Sequence, residues 1–210
     1  MAIRAVFACV VLLAGCTERE AGPVKKDSGK PKVQPRAMPP PVPNGVKIPC
    51  DKVFNADEVS VAVGRPIEIK DVSNLEADAT SICRLMTVGK RPSDKEQERL
   101  FNKTAGSLGV LPGDELCQIT LSCWWHVDEA ELTAKCKEGG DSPLDGVGDV
   151  ACVREIQAGE AFRHMITTID PESRCKLIIN GGPSVVDLEV TKTCARAALQ
   201  SVTAERIKVE

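Results

Sequence analysis

The sequence predicts an α+β domain, in which an antiparallel sheet carries helices packed on one face, stapled by disulfides and preceded by a disordered tether. Three observations support this prediction. Strand-like segments follow one another directly between residues 150 and 190, and a helical segment closes the series. Capping signals of further helices lie upstream. Eight cysteines fall in residues 50–210, where the apolar periodicity also lies.

The first sixteen residues predict export and lipidation. A basic start at Arg4 precedes an apolar run of about ten residues, within the range of a signal peptide and too short to span a bilayer. The run closes on Leu13-Ala14-Gly15-Cys16, the pattern of a bacterial lipobox. We expect a signal peptide over 1–15 and a lipid on Cys16. A secretory signal cut elsewhere and an uncleaved anchor are the alternatives.

The residue after the predicted lipid site bears on the choice of membrane. An Asp at that place favours inner-membrane retention in Gram-negative sorting, so Thr17 favours the outer membrane if the host has two membranes. Two or more acyl chains are enough for stable anchoring. The expected location is therefore the cell envelope, outside the cytoplasm.

Residues 16–49 predict a disordered tether. They hold eight of the fourteen prolines, a net charge of +4 and almost no apolar periodicity. Such a segment cannot bury enough surface to offset its ordering entropy. We interpret it as a solvated spacer; the alternative is a basic segment that lies along anionic headgroups or cell-wall polymers.

Residues 50–210 have the length of one globular domain and carry a net charge of −8. Binding to nucleic acid needs clustered Lys and Arg to contact phosphates, so this acidic balance argues against a nucleic-acid partner.

The cysteine count of this domain is even, which in an exported chain predicts disulfides. The eight are Cys50, Cys83, Cys117, Cys123, Cys136, Cys152, Cys175 and Cys194. Eight cysteines can form four bridges in 105 ways, and the sequence alone does not determine which pairing occurs. Close-spaced Cys pairs are lacking and there are two histidines in all, so we expect neither a metal site nor a cofactor.

Start and stop signals delimit the first two helices. Asn55-Ala56-Asp57-Glu58 is a capping signal, and Gly64-Arg65-Pro66 ends the helix that follows. Ser93 with Glu96 starts a second, highly charged helix that ends near Gly106. Between them, residues 82–88 are rich in β-formers and predict a strand.

Residues 117–127 alternate strictly and predict a half-buried strand. One side carries Cys117, Ile119, Leu121, Cys123, Trp125 and Val127. The other side carries Gln118, Thr120, Ser122, Trp124 and His126. Trp124, His126 and Gln118 are the predicted contact surface, because an exposed Trp beside polar neighbours suits a protein or glycan partner. The alternative is that a helix covers Trp124.

The rest of the domain predicts a short helix, four strands and a closing helix. The short helix covers 128–137 and ends at Gly139-Gly140, and the strands lie near 150–155, 162–169, 175–180 and 185–190. The closing helix covers 191–206, with Cys194, Ala198 and Val202 on one stripe.

Several of these landmarks occur in an order that resembles a family of small secreted lipoproteins, best known from actinobacteria, whose domain has no established activity. The motifs are Pro49-Cys50, Ala56-Asp57-Glu58-Val59 with Val63-Gly64, Cys83 at a strand start, Gly146-Val147-Gly148-Asp149-Val150-Ala151, and Cys194-Ala195-Arg196-Ala197-Ala198-Leu199. The resemblance covers most of residues 49–200. It implies a bridge between Cys50 and Cys83 and implies no catalytic residue. The chain departs from the family at the second cysteine, where the usual Cys-x-Trp motif is replaced by Cys83-Arg84-Leu85.

The sequence contains no catalytic constellation that we can identify. Gly146-Val147-Gly148-Asp149 lacks the Lys-Ser/Thr ending of a phosphate loop and predicts a turn before a strand. Cys123 and His126 point to opposite faces of one strand. No neighbour of His164 completes a triad, although a spatial pair of carboxylates is invisible in a sequence.

These observations favour a lipid-anchored envelope protein that is not an enzyme and acts by binding a protein, a cell-wall polymer or a small ligand. One alternative is an exported inhibitor or assembly factor for an envelope enzyme. A hydrolase is the second alternative, and a deep pocket that holds His164 or His126 with a carboxylate would overturn the binding interpretation in its favour.

Overall fold

A computed structural model of the protein describes residues 42–103, 109–124, 128–158 and 161–209. In these ranges one seven-stranded antiparallel sheet is accompanied by five α-helices. The strands are β1 (Ile67–Asp71), β2 (Ser81–Thr87), β3 (Glu115–Ser122), β4 (Ser142–Pro143), β5 (Ala151–Ala158), β6 (Ala161–Ile169) and β7 (Lys176–Gly181). The helices are α1 (Cys50–Val53), α2 (Ala56–Val63), α3 (Asp94–Lys103), α4 (Glu129–Glu138) and α5 (Leu188–Ser201). The predicted α+β class with an antiparallel sheet is confirmed.

The strand order is β1-β2-β3-β7-β6-β5-β4, so the sheet consists of two antiparallel meanders. The first meander is β1 to β3, and the second is β4 to β7. They are joined where β3 pairs with β7 in an unbroken register from Cys117↔Gly181 to Ser122↔Lys176. Residues from distant parts of the chain therefore stand side by side in the middle of the sheet.

One face of the sheet is covered by α1, α2 and α5, and it forms the main core. Alternate residues of the strands point to this covered face. In its central row Ile119 stands opposite Ile179, and Ile179 opposite Ile166, with 1%, 0% and 0% of their surfaces exposed. Burying each such side chain contributes about 1.5–3 kcal/mol to folding.

Helix α5 packs closely on the covered face because small side chains line the contact. Asp187 caps its start by accepting a hydrogen bond from Glu189 N–H at 2.9 Å. The predicted stripe of Cys194, Ala198 and Val202 is buried, as expected. Gly181 of β7 lies so near that a Cβ atom there would come within 2.9 Å of Thr191 Oγ1.

The other face of the sheet is covered at one end, where α4 packs over β5 and the end of β6. Leu132 and Cys136 of α4 form a small second apolar cluster with Cys152 and Ile169. Cys152 and Ile169 adjoin Ala151 and Thr168, which pair on the covered face, so their own side chains point to the opposite face. Helix α4 thus lies on the side of the sheet away from α5.

All eight cysteines of the domain are paired, which confirms the prediction of disulfides. The bridges are Cys50–Cys83, Cys117–Cys194, Cys123–Cys175 and Cys136–Cys152. The first is the pair that the family resemblance implies. The first three lie on the covered face, and the fourth ties α4 to the other face.

Several predicted boundaries differ from the observed ones. The predicted strand near 185–190 is wrong, because Val185 N–H turns back to Gly182 O at 2.9 Å and Asp187 starts α5 two residues later. The predicted strand 117–127 ends at Ser122 within the described residues. The closing helix ends at Ser201, before the predicted 206, because the backbone of Val202 is extended.

Short elements are absent from the sequence prediction. These are α1, β1 and the two-residue β4. The folded part also includes Val42 and Ile48, which are 0% and 5% exposed, so it starts at least eight residues before the predicted boundary at Cys50. Ile48 N–H donates to Thr80 O at 3.0 Å and fixes this segment beside β2. The predicted lipobox, Cys16, tether residues 16–41, Trp125 and His126 lie outside the described residues.

Candidate functional site

The sheet surface that faces away from α5 is the candidate site, and we call it the open face. It is formed by the alternate residues of β1–β3 and β5–β7 that point away from α5. Helix α4 covers it near Cys152, Ile82 and Thr120 are also buried on this side, and the row around Gln118 is half-exposed. Antiparallel sheets commonly have one face exposed to solvent, so the exposure of this face does not by itself indicate a binding site. The evidence for a site is the type and arrangement of its side chains.

A single row of side chains crosses six strands of the open face. Each member stands directly opposite the next in the strand register. In order from β1 to β5 the row is Lys70, Arg84, Gln118, Asn180, Met165 and Arg154. Since neighbouring strands are about 4.8 Å apart, the row extends over about 24 Å.

Polar contacts hold the two arginines of the row, one on each side of its centre. Arg84 Nε donates to Gln118 Oε1 at 3.2 Å and lies 3.4 Å from Glu115 Oε2. At the far end, Arg154 Nε pairs with Asp141 Oδ1 at 2.5 Å. These contacts hold the two guanidinium groups in place, while the amides of Gln118 and Asn180 lie between them.

The open face carries residue types that are common in protein interfaces. The row contains Met165, and Met86 of β2 also points to this side. Arg163 of β6 joins Arg84 and Arg154 there. Met and Arg are enriched at protein interfaces, where flexible thioethers adapt to a partner and guanidinium groups donate in several directions.

The structure describes two of the three residues of the predicted contact surface, and it places them apart. Gln118 lies in the centre of the cross-strand row. Trp124 is half-buried beyond the end of β3, where its indole N–H donates to the carbonyl oxygen of Asp78 in the loop before β2. His126 lies outside the described residues. Of the six residues in the row, the sequence prediction named Gln118, and the other five come from strands that are separate in the chain.

Lys176 marks the boundary between the open face and α4. Burial lowers the pKa of its ammonium group, and the nearby Lys135 of α4 lowers it further, while Glu131 opposes both. A cation that is held in this position is desolvated in part, so α4 limits the open face on this side.

A cavity of about 310 Å³ lies between the β5–β6 edge and α5, and it contains His164 with Glu155. His164 Nε2 is 3.8 Å from Glu155 Oε1, which is too long for a hydrogen bond, and its buried Nδ1 makes none. The cavity thus holds a histidine and a carboxylate, the pair that a hydrolase would need.

The geometry of this cavity does not assemble a nucleophile with a base. Ser142 carries the hydroxyl group in the lining, and it stands opposite Val153, whereas His164 stands opposite Glu155. Ser142 and His164 are therefore two strands and two residues apart, a Cα separation on the order of 10 Å. A general base must lie within hydrogen-bond reach of its nucleophile, directly or through one water.

Three other findings bear on chemistry. The turn at Gly146–Asp149 has Val147 fully buried and Gly146 O bonded to Arg196 Nε at 2.8 Å, so it is a packed turn before β5. Among the described residues, no cluster of three His, Cys, Asp or Glu side chains could hold a metal ion. No helix in the same ranges has the length and apolar character to cross a bilayer.

Comparison with known proteins adds no relative to these observations. No protein-family model, no curated protein and no solved structure matches the chain.

Proposed function

We propose that this protein is a lipid-anchored envelope protein that acts by binding another envelope protein through the open face. The observation that carries the proposal is the cross-strand row, in which two fixed guanidinium groups flank two amides and a methionine. Such a surface offers several donors and an adaptable apolar side chain on a rigid sheet, which lowers the entropy cost of association. A row that spans six strands favours a protein partner over a small ligand, which would need a concave site.

The lipobox supports the envelope location. Leu13-Ala14-Gly15-Cys16 ends a leader of the right length, and the four disulfides require an oxidising compartment. Palmitate labelling of cells should tag the wild-type protein and should be lost in Cys16→Ser. Label that persists in this variant would remove the anchor from the proposal.

Site-specific crosslinking tests the binding surface. A photo-crosslinking amino acid replaces Lys70, at the exposed end of the row, or Val61 of α2, which is 83% exposed on the opposite side of the sheet. In intact envelopes we expect a discrete adduct from position 70 and none from position 61. Equal adducts from both positions would argue against a specific face.

The captured partner then allows a quantitative test. Asn180→Arg places a bulky charge in the centre of the row, and Gln200→Arg places the same charge on the exposed side of α5. We expect the first to weaken binding of the purified partner at least tenfold and the second to leave it unchanged. If the partner is an enzyme whose turnover changes on binding, the inhibitor or assembly-factor alternative is favoured.

The cavity around His164 gives the hydrolase alternative its own test. That alternative requires His164→Asn to abolish turnover of an envelope substrate while the crosslinking pattern stays as in the wild type. Because His164 lies on the covered side of the sheet, the two experiments report on different surfaces.

A further inference from the structure

A second concave surface lies outside the open face, beside α3, and we call it the α3 groove. It has a volume of about 590 Å³. One rim is the loop 90–93, and the other is the side of α3 that carries Glu96, Arg99, Leu100 and Lys103. Four of the eight lining residues that the structure describes are cations, in a domain whose net charge is −8.

The negative charges nearby compensate these cations in part. Glu96 accepts hydrogen bonds from Ser93 N–H and Ser93 Oγ at 3.0 and 2.9 Å, in the capping box that starts the helix. Asp114 Oδ1 lies 3.3 Å from Arg91 Nη1. Lys90, Arg99 and Lys103 make no ion pair with any residue that the structure describes. Counting both carboxylates, the groove retains a charge of +2.

The loop rim is held in place. Asp114 is 4% exposed, and its Oδ2 accepts from Leu111 N–H at 3.0 Å, so the carboxylate that holds Arg91 is itself fixed. Gly113 makes this approach possible, because a Cβ atom there would lie 2.9 Å from Arg91 N. The position of Arg91 is thus set by buried groups.

The helix rim carries an electrostatic cost when the groove is empty. Arg99 and Lys103 are four residues apart on α3, so their charges lie on one side of the helix about 6 Å apart along its axis. Like charges at this spacing destabilise a helix, and an anion between them reverses the sign of the interaction. No residue of α3 is buried, so core packing does not explain the arrangement.

We propose that the α3 groove binds a phosphate group of an envelope component. A retained charge of +2 matches one phosphate monoester dianion or two phosphodiesters, and Arg and Lys are the side chains that bind phosphate through charge-assisted hydrogen bonds. The source is either a soluble phosphate-bearing molecule or a phospholipid headgroup. The proposal is independent of the open face, which contributes none of these residues.

Titration of the purified domain tests the proposal. The probes are inorganic phosphate and vesicles of phosphatidylglycerol, with phosphatidylcholine vesicles as the uncharged control. We expect saturable binding of one of the two anionic probes that weakens with added NaCl. Binding of phosphate indicates the soluble source, and binding of phosphatidylglycerol vesicles without phosphate binding indicates the headgroup. Binding of neither would overturn the proposal.

A matched pair of variants separates the groove from general electrostatics. Arg99→Gln combined with Lys103→Gln should weaken binding at least tenfold. Lys95→Gln combined with Lys52→Gln removes two charges outside the groove and should change binding less than twofold. Equal losses in both variants would overturn the proposal, because diffuse attraction would then suffice. Circular dichroism should show both variants folded, as none of these side chains is buried.

Discussion

The two faces of the sheet differ in how deeply their side chains are buried and in how many helices and disulfides stabilise them. The covered face has fully buried Ile, Leu and Cys side chains, three disulfides and three helices, and its strands meet in rows such as Ile119, Ile179 and Ile166. The open face has a row of half-exposed, mostly polar side chains, one helix and one disulfide, and fewer buried side chains, such as Ile82. If the open face binds a partner as proposed, substitutions on the covered face should unfold the domain, and substitutions on the open face should change what the protein binds.

Removal of disulfides should give the largest effects. Cys117–Cys194 has a sequence separation of 77, and Cys136–Cys152 has one of 16. Because the Cys123–Cys175 bridge lies inside the first loop and shortens it to about 26 residues, loop-closure entropy predicts a loss of about 3.5 kcal/mol for the first bridge and about 3 kcal/mol for the second when both cysteines become Ala. Urea unfolding of the two double variants measures the difference. A larger loss for the second would reverse the comparison of the faces.

Adjacent isoleucines of β7 give a matched pair, because Ile179 points to the covered face and Ile178 to the open face. Ile179→Ala should cost about 3 kcal/mol of unfolding free energy, since it leaves a cavity in the core. Ile178→Ala should cost about 1 kcal/mol or less, because the site is partly exposed. Equal costs in urea unfolding would show that the open face is packed as tightly as the covered one.

The helix caps test whether α4 is held as firmly as α5. Asp128 accepts a hydrogen bond from Glu131 N–H at 2.7 Å, and Asp187 caps α5. Each change to Ala should cost about 1 kcal/mol. Hydrogen exchange should show Asp128→Ala opening α4 alone, whereas Asp187→Ala should raise exchange in the strands under α5. Exchange confined to α5 in the second variant would contradict this expectation.

The dependence of stability on pH in the acid range should include a contribution from Asp71, which lies at the edge of the covered face. Burial raises the pKa of this carboxyl, but hydrogen bonds from the hydroxyl and N–H of Ser73 and from Cys50 N–H outweigh it and lower the pKa. A depressed carboxyl pKa means that the stabilisation is present above about pH 4 and is lost as the pH falls through the folded-state pKa. Asp71→Asn should flatten that acid limb in thermal unfolding.

The dependence of stability on pH in the alkaline range should include a contribution from Lys176 of the open face, and we expect this to be the smallest of the effects. Its folded-state pKa is lowered, so the unfolded chain binds more protons as the pH approaches about 10.4. Stability should therefore rise with pH through the window between the folded-state pKa and that value. Lys176→Gln should remove the rise, and a fall in the wild-type protein would contradict the lowered pKa.

The covered face was largely predictable, and the open face was not. Strict alternation from Cys117 to Cys123 identifies which side of β3 is buried, and the Asn55 and Gly64 signals delimit α2 correctly. These are local patterns of one strand or helix. The Val185–Val190 segment shows their limit, because the capping oxygen of Asp187 outweighs the β-propensity of its valines.

The cross-strand row depends on sheet order, which local patterns do not contain. Asn180 stands beside Gln118 because β7 inserts next to β3, a pairing across about sixty residues of chain. The α3 groove is an intermediate case. Its charges are visible in the sequence, but its concave shape arises where Gly113 lets the loop that carries Arg91 fold close.

The disulfide pattern has a consequence for the route by which an exported chain would fold. Three bridges are nested, with 136–152 inside 123–175 inside 117–194, whereas 50–83 stands apart. On a chain that leaves the cytoplasm N-terminus first, Cys50 and Cys83 can pair at once. Cys117, Cys123 and Cys136 must then wait as thiols, and each later cysteine joins the most recent one still waiting. Oxidation that is faster than translocation would instead trap Cys117 with Cys123. The yield of correctly paired protein outside the cytoplasm should therefore depend on a disulfide isomerase. Because the bridges are nested, the order in which the cysteines leave the cytoplasm helps to determine which of them pair.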